Sequence, residues 1–370
     1  MNQENILEAK GIYKYYPGVC ALDNVDISVR RGEVHALIGE NGAGKSTLIK
    51  ILSGSVDKDS GEIWFDNESL GNYTPNQAIE FGISVIYQEF NLIPHMTVEE
   101  NLSLGRELLK GITLDKKAML KRAKTIIDDF ELDIDPSAKV SELSVAKLQM
   151  VEIVKALLYD SKLIIMDEPS ASLTNWEMNI LFRIIKELRE KGKSVIYISH
   201  RLEEIFQIAD RVTILRDGLN IKTTDVKDIT RKDLIINMVG RDVSGTYPDS
   251  KVDYDDVVLR VTGLSNQVIK DVSFELHRGE VLGIGGLVGA GRTEIGRALF
   301  GADPSTGIIE IKDDQAVIHS PVDAIQYAIG LIPEERKTQG LLQEMSVEVN
   351  LSLASLRRIS KTLLINKRTI

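Results

Sequence analysis

Short, continuous apolar runs recur along this chain, each closed by polar or glycine-rich residues, with charged, helix-favouring stretches between them. Val34-His-Ala-Leu-Ile38 is one such run; a glycine-rich loop follows it, and Ser46 to Leu52 reads as a helix start. Residues 61–65, Gly-Glu-Ile-Trp-Phe, predict a strand bounded by turn residues. Residues 84–87 predict another, ending at Gln88. Lys162 to Met166 reads as a buried strand closed by Asp167 and Glu168, and Ser194 to Ile198 as a further one closed by Ser199 and His200. Between them, Asn179 to Arg189 has a helical pattern. The charged stretch from Lys116 to Phe130 is helix-favouring too, and residues 96–135 read as a small helical subdomain. Continuous apolar strands alternating with helices predict an α/β fold, with a parallel sheet covered on both faces.

The pattern also repeats. Gly39-Glu-Asn-Gly-Ala-Gly-Lys-Ser-Thr47 returns as Gly286-Leu-Val-Gly-Ala-Gly-Arg-Thr-Glu294, with Arg292 where the lysine would stand. The lead-ins match at the same offset of 247 positions, Gly32 against Gly279 and Gly44 against Gly291. That spacing is far beyond solenoid periods and implies duplicated domains. The expected organisation is a first domain over 1–240, with its helical subdomain at about 90–160, a polar linker at 241–256, and the N-terminal part of a second domain over 257–370. The second copy is expected to be incomplete, as a piece of a longer chain or as a C-terminally truncated product.

Composition adds exclusions. Hydrophobic residues at 43% and charged residues at 27% are ordinary for a soluble globular protein. A net charge of −10 argues against a nucleic-acid partner. Cys20 is the only cysteine, so an intrachain disulfide and a cysteine-built zinc cluster are excluded. No apolar run approaches the roughly 20 residues of a membrane span, and the Met-Asn-Gln-Glu-Asn start lacks the features of a signal peptide. A cytoplasmic location follows, with docking on a membrane protein left open.

The first loop fits the phosphate-binding G-x-x-x-x-G-K-[ST] pattern, set between a strand and a helix. Gly39, Gly42 and Gly44 let the amides of Glu40, Asn41, Ala43 and their neighbours approach phosphate oxygens, and the helix N-terminus adds partial positive charge. Lys45 would pair with the β- and γ-phosphates; Ser46, followed by Thr47, would ligate Mg²⁺. Asp167 and Glu168 close a strand at the sheet edge where such folds place ligands. Asp167 suits the metal, and Glu168 suits a general base for the attacking water. An exposed acidic turn is the plain alternative. Gln88 ends a strand and is placed to reach metal and water, although a surface glutamine reads the same way. His200 ends another strand at the same edge, where it would meet the γ-phosphate. Ser144 is a plausible N-cap of the helix reaching Leu158, and that helix N-terminus would also suit a phosphate.

In this order, the motifs resemble those of an ABC-type ATPase over about residues 5–240: Walker A at 39–47, the Q-loop at Gln88, Walker B at 163–168, a D-loop at Ser172-Leu-Thr174 and a switch histidine at His200. Leu143-Ser-Val-Ala-Lys147 stands where that family reads LSGGQ and keeps only its first two residues. The intact first loop with a GLVGAGRTE second loop narrows the resemblance to the ATP-binding subunits of bacterial monosaccharide importers of the ribose, xylose and galactose type. Tyr16-Pro-Gly-Val-Cys-Ala-Leu-Asp23 resembles that family's FPGVKALD, and Pro333-Glu-Glu-Arg-Lys337 its PEDRK segment.

The resemblance implies a P-loop NTPase fold of the ABC type with a helical subdomain, tandemly duplicated with an incomplete second copy. It implies ATP and Mg²⁺ as ligands and Tyr16 as the residue that stacks on adenine, where a core-packing tyrosine is the alternative. It implies head-to-tail pairing of ATP-binding domains, with Ser144 of the signature acting across the sandwich. The altered loop, where Arg292 and Thr293 would contact phosphate and metal, is expected to face the altered signature in a poorly hydrolysing site. No second Asp-Glu pair after an apolar strand follows residue 340, so weak hydrolysis by this chain alone is expected. Integral membrane permease subunits are the implied partners, with an extracytoplasmic sugar-binding protein acting indirectly; the location is peripheral, at the cytoplasmic face of the inner membrane. Rival readings are a non-transport tandem ABC protein, of ribosomal or DNA-repair type, and a regulatory ATP-binding module.

Overall fold

A computed structural model describes residues 4–87, 90–158, 161–170, 173–241, 253–287, 289–334, 339–356, 360–361 and 364–365. The chain divides into two units, residues 1–245 and 246–370. In the first, the elements run β1 (Asn5–Tyr16), β2 (Val19–Arg30), β3 (Val34–Ile38), α1 (Lys45–Leu52), β4 (Ser60–Phe65), β5 (Glu68–Leu70), α2 (Pro75–Phe81) and β6 (Ile83–Ile86). Then come α3 (Val98–Ser103), β7 (Leu109–Lys110), β8 (Thr113–Leu114), α4 (Lys116–Asp129), α5 (Val145–Leu157), β9 (Leu163–Asp167) and α6 (Asn175–Glu190). The unit closes with β10 (Ser194–Ile198), α7 (Leu202–Ile208), β11 (Arg211–Arg216), β12 (Leu219–Asp225) and α8 (Arg231–Val239).

The main sheet has the order β12-β11-β3-β10-β9-β6. Its strands are parallel except for β12, which pairs antiparallel with β11. The apolar runs sort by the two-residue period of a strand. Val34, Ala36 and Ile38 of β3, Ile164 and Met166 of β9, and Val195 and Tyr197 of β10 pack against α5, α6 and α7. Leu37, Leu163, Ile165, Ile196 and Ile198 face the other way, onto α1 and the antiparallel sheet β2-β1-β4-β5. Both faces are therefore covered, which is why these strands carry no polar face. Threonines start three helices with reciprocal capping boxes, Thr74 at α2, Thr97 at α3 and Thr174 at α6.

The second unit holds a sheet of β13 (Asp253–Ser265), β14 (Val272–Arg278), β15 (Thr306–Ile311) and β16 (Asp314–Ala316), with α9 (Arg292–Leu299) among its helices. Its order, β14-β13-β15-β16, is that of β2-β1-β4-β5. A small core of Val261, Leu264, Ile269, Ile295, Ala298 and Ile309 joins α9 to this sheet.

Several elements differ from expectation. Residues 253–256, assigned by composition to a linker, begin β13; residues 242–252 of that linker lie outside the described residues. The region 96–135 is not wholly helical, because the two-stranded hairpin β7–β8 sits between α3 and α4. The lead-in 281–285 matches β3 in the repeat but forms no strand: Val34 is 1% exposed and Val281 95%. The strand β3 is held between β10 and β11, and among the described residues of the second unit no segment supplies such neighbours. Among the described residues, no helix is long and apolar enough to cross a membrane.

Candidate functional site

The glycine-rich loop leaves β3 at Ile38 and enters α1 at Lys45. Two of its glycines, Gly39 and Gly44, are required by what surrounds them. A Cβ on Gly39 would meet the Leu215 carbonyl oxygen at 2.3 Å. Gly44 caps α1 at φ 101°, and a Cβ there would lie 2.7 Å from the Ala21 carbonyl oxygen and 2.8 Å from Leu22 Cδ2. The walls are thus the β1–β2 hairpin and strand β11. The Gly218 amide after β11 donates to the Ala43 carbonyl (3.3 Å), while Asp23 N donates to Gly218 O (2.8 Å). Gly42, at φ 86°, faces open space. Glu40, Asn41 and Ser46 are exposed, and Thr47 is half-buried in the first helical turn. Lys45 Nζ donates to the carbonyls of Gly39 (2.7 Å) and Glu40 (3.0 Å). Burial holds its pKa below the usual lysine range, while the charges of Glu168 and Asp167 oppose that shift.

Asp167 ends β9, and burial, reinforced by the adjacent Glu168 charge, pushes its pKa up to about 6 against the pull of Lys45 and Lys50. Glu168 follows in a left-handed backbone conformation, φ 50°. Strain of this kind persists where surroundings fix it. Here the Glu168 amide donates to Ile198 O (3.0 Å), tying Walker B to the end of β10. Its Oε1 lies 3.3 Å from His200 Nδ1. The expected general base and the expected γ-phosphate contact are therefore neighbours, brought together by two adjacent parallel strands.

Ser144 caps α5, its hydroxyl accepting from Lys147 N at 3.4 Å, and Val145 beside it is exposed. Tyr16 ends β1 with 40% of its surface exposed and Lys14 Nζ 5.7 Å from its ring centroid. An aromatic so placed is not part of the core. Arg292 is exposed at the start of α9, after Gly291 at φ 89°. Thr293 Oγ1 donates to Glu334 Oε2 (3.1 Å), so its hydroxyl already serves a carboxylate. Gln88, Ser172 and residues 335–337 of the PEERK segment lie outside the described residues.

One group at this edge escaped sequence reasoning. The carboxylate of Glu204, on α7, receives hydroxyl hydrogen bonds from Ser170, Tyr197 and Ser199. Burial and the Glu204 charge push the Tyr197 pKa far up, so that hydroxyl remains a donor. The available signal was a glutamate one helical turn past the strand-end histidine, preceded by a serine at the end of β10 and another in the turn after β9.

Residues 22–171 match the family model described as ABC transporter. The chain is 46% identical over 355 residues to the ribose import ATP-binding protein RbsA 3 of Rubrobacter xylanophilus, covering 95% of this chain and 72% of that protein. It is 45% identical over 358 residues to the galactose/methyl galactoside import ATP-binding protein MglA of Escherichia coli, covering 96% and 71%. Among solved structures, the ADP conformation of an ATP-binding cassette of an ABC transporter is similar at a TM-score of 0.57 and 30% identity, covering 64% of this chain and 99% of that one. A dimeric cassette in a post-hydrolysis state with ADP and Pi is similar at a TM-score of 0.54 and 26% identity, covering 60% of this chain and 100% of that one.

Proposed function

The chain belongs to the ABC transporter family of ATP-binding subunits, and from that premise we propose that its loop at 39–47 binds the phosphates of ATP for the import of a monosaccharide of the ribose or galactose kind. The observation that carries this reading is the convergence of Lys45, Asp167, Glu168 and His200 at one edge of the sheet, where β3, β9 and β10 end side by side.

The residues fit the substrate. Backbone amides of the loop cradle phosphate oxygens. Lys45 exchanges the carbonyls of Gly39 and Glu40 for the β- and γ-phosphates. Ser46 and Asp167, with Gln88, would hold Mg²⁺, whose charge would screen the phosphates; a carboxyl with its pKa pushed up to about 6 is one whose surroundings call for a cation. Glu168 takes the proton of the attacking water, and His200 contacts the γ-phosphate while holding Glu168 in place. Tyr16 stacks on adenine. Ser144 and the start of α5 present amides to the nucleotide of another cassette. Arg292 offers a planar fork rather than a compact ammonium to phosphate. We assign residues 1–240 to this cassette and the residues from the start of β13 at Asp253 onward to an altered second copy.

Subunits of this family work with membrane permease components. A peripheral position at the cytoplasmic face of the inner membrane, and an extracytoplasmic binding protein that selects the sugar, complete the proposal. The test is steady-state ATP hydrolysis and equilibrium ATP binding by the chain and by Glu168→Gln. Loss of a general base costs about 10²–10⁴-fold in rate, so hydrolysis should collapse while binding persists. Unchanged turnover in Glu168→Gln would overturn the assignment. Co-purification with permease subunits separates a transport motor from a regulatory module.

A further inference from the structure

The carboxylate of Glu204 is 2% exposed, and a single oxygen, Oε2, carries its hydrogen bonds. Ser170 Oγ donates to it at 2.8 Å, Tyr197 Oη at 2.8 Å and Ser199 Oγ at 2.7 Å. Two of these donors flank the proposed chemistry: Ser170 stands two residues after Glu168, and Ser199 immediately precedes His200. Ser199 Oγ also accepts from Arg201 N (3.0 Å), so the turn that presents His200 is closed on both sides. The other oxygen, Oε1, makes no hydrogen bond among the described residues and lies 3.7 Å from Arg201 Nη1. Burying a carboxylate is costly unless donors replace its water. Three hydroxyls and a nearby guanidinium fulfil that need, and a short network of this kind holds its members in one arrangement.

We infer that Glu204 is a positioning residue for hydrolysis. It grips the turn after Walker B through Ser170 and the switch turn through Ser199, and so fixes Glu168 and His200 relative to each other at their 3.3 Å separation. It does not touch nucleotide. Small displacements of catalytic groups cost large factors in rate, so its loss acts on turnover rather than on ATP affinity. The inference rests on the reading of Glu168 and His200 as the hydrolytic pair.

The test is ATPase kinetics of the full chain, with ATP binding and thermal unfolding measured in parallel. The isosteric Glu204→Gln offers a weaker acceptor and places an amide where the carboxylate stood. Its kcat should fall 10- to 100-fold with the ATP KM within about twofold of the parent. Should Glu204→Gln fail to fold, Ser199→Ala and Ser170→Ala each remove one grip, and each should lower kcat at unchanged KM. Tyr197→Phe removes the third hydroxyl, which touches neither the Walker B turn nor the switch turn; it should lower the unfolding temperature and lower kcat less than Ser199→Ala does. In a His200→Ala background, Glu204→Gln should add little to the defect, because the geometry it protects is already gone. Equal loss of kcat in Tyr197→Phe and Ser199→Ala would overturn the proposal, as would full additivity with His200→Ala. If Glu168→Gln and His200→Ala both hydrolyse normally, the underlying reading fails. If they are inactive while Glu204→Gln turns over like the parent, the positioning role alone fails.

Discussion

Replacing Asp167 with asparagine should make the nucleotide-free protein more stable. The carboxyl titrates at about 6 instead of its ordinary 3.8, driven first by burial and then by the charge of Glu168. A shift of about two units is worth about 3 kcal/mol, and partial solvent access trims this to roughly 2 kcal/mol. The sign follows from which state holds the proton more tightly. Here it is the native state, so rising pH strips the unfolded chain first. The cost of charging Asp167 is therefore absent below pH 4, grows between 4 and 6, and is complete above. Asparagine never pays it, so the gap between variant and parent should open over that window. For a unit of this size, roughly 2 kcal/mol corresponds to about 4–8 °C in Tm. Trp64 and Trp176 are the only tryptophans and both lie in the first unit, so intrinsic fluorescence follows its melting alone. A gap that is the same at pH 4 and pH 8, or a variant that melts below the parent at pH 8, would refute the argument. The gain carries a functional penalty: added Mg²⁺ should strengthen ATP binding by the parent and much less by Asp167→Asn.

Gly44→Ala forces a Cβ to within 2.7 Å of the Ala21 carbonyl at φ 101°; it should cost about 1–3 kcal/mol and abolish ATP binding, read by calorimetric titration beside a denaturant melt. Thr174→Ala deletes the capping box of α6 and should cost about 1 kcal/mol with ATP affinity unchanged; an affinity loss beyond twofold would mean that this cap also shapes the site. Tyr16→Ala should weaken ATP binding by about 1 kcal/mol, the size of one aromatic stack, whereas Tyr16→Phe should bind as the parent does. Equal losses in both would point to the hydroxyl instead.

The inner strands were legible because β3, β9 and β10 are apolar on both faces and closed by polar residues. The hairpin β1–β2 and the pair β11–β12 were not read. The patterns of β1 and β2 mix exposed and buried positions, β12 is mostly half-buried, and register shifts interrupt the pairing, as between Ala9 and Ile12 and between Ile214 and Leu215. Those unread elements build the walls of the loop, through Ala21, Leu22, Leu215 and Gly218. The loop itself was plain in the sequence, since its glycines and lysine are contiguous. The Glu168–His200 contact was implied only by two strands ending at one edge. Glu204 was harder to read because its partners come from three different sequence positions, and its spacing from His200 alone does not mark it as a hydroxyl acceptor. Likewise, the hairpin β7–β8 lies in a stretch whose charge favours helix, where a tight turn at Gly111, φ 68°, reverses the chain instead.

The contrast between the two glycine-rich loops goes deeper than lysine against arginine. Gly39 is pressed against the backbone of strand β11, so the first loop takes its shape from the parallel sheet behind it. At its counterpart Gly286 the nearest atoms to a Cβ belong to Ala290 and the stem of Arg292, whereas Gly291, like Gly44, is pressed against a hairpin, a Cβ there lying 2.7 Å from Ile269 Cγ2. The lead-in residue Val281 is almost wholly exposed where Val34 is wholly buried. Preorganised amides bind phosphate because their geometry is fixed before the ligand arrives. Lys45 is already half-desolvated and seated on two loop carbonyls, whereas Arg292 is exposed to solvent. In the first loop both the cation and the backbone around it are therefore placed before any nucleotide arrives.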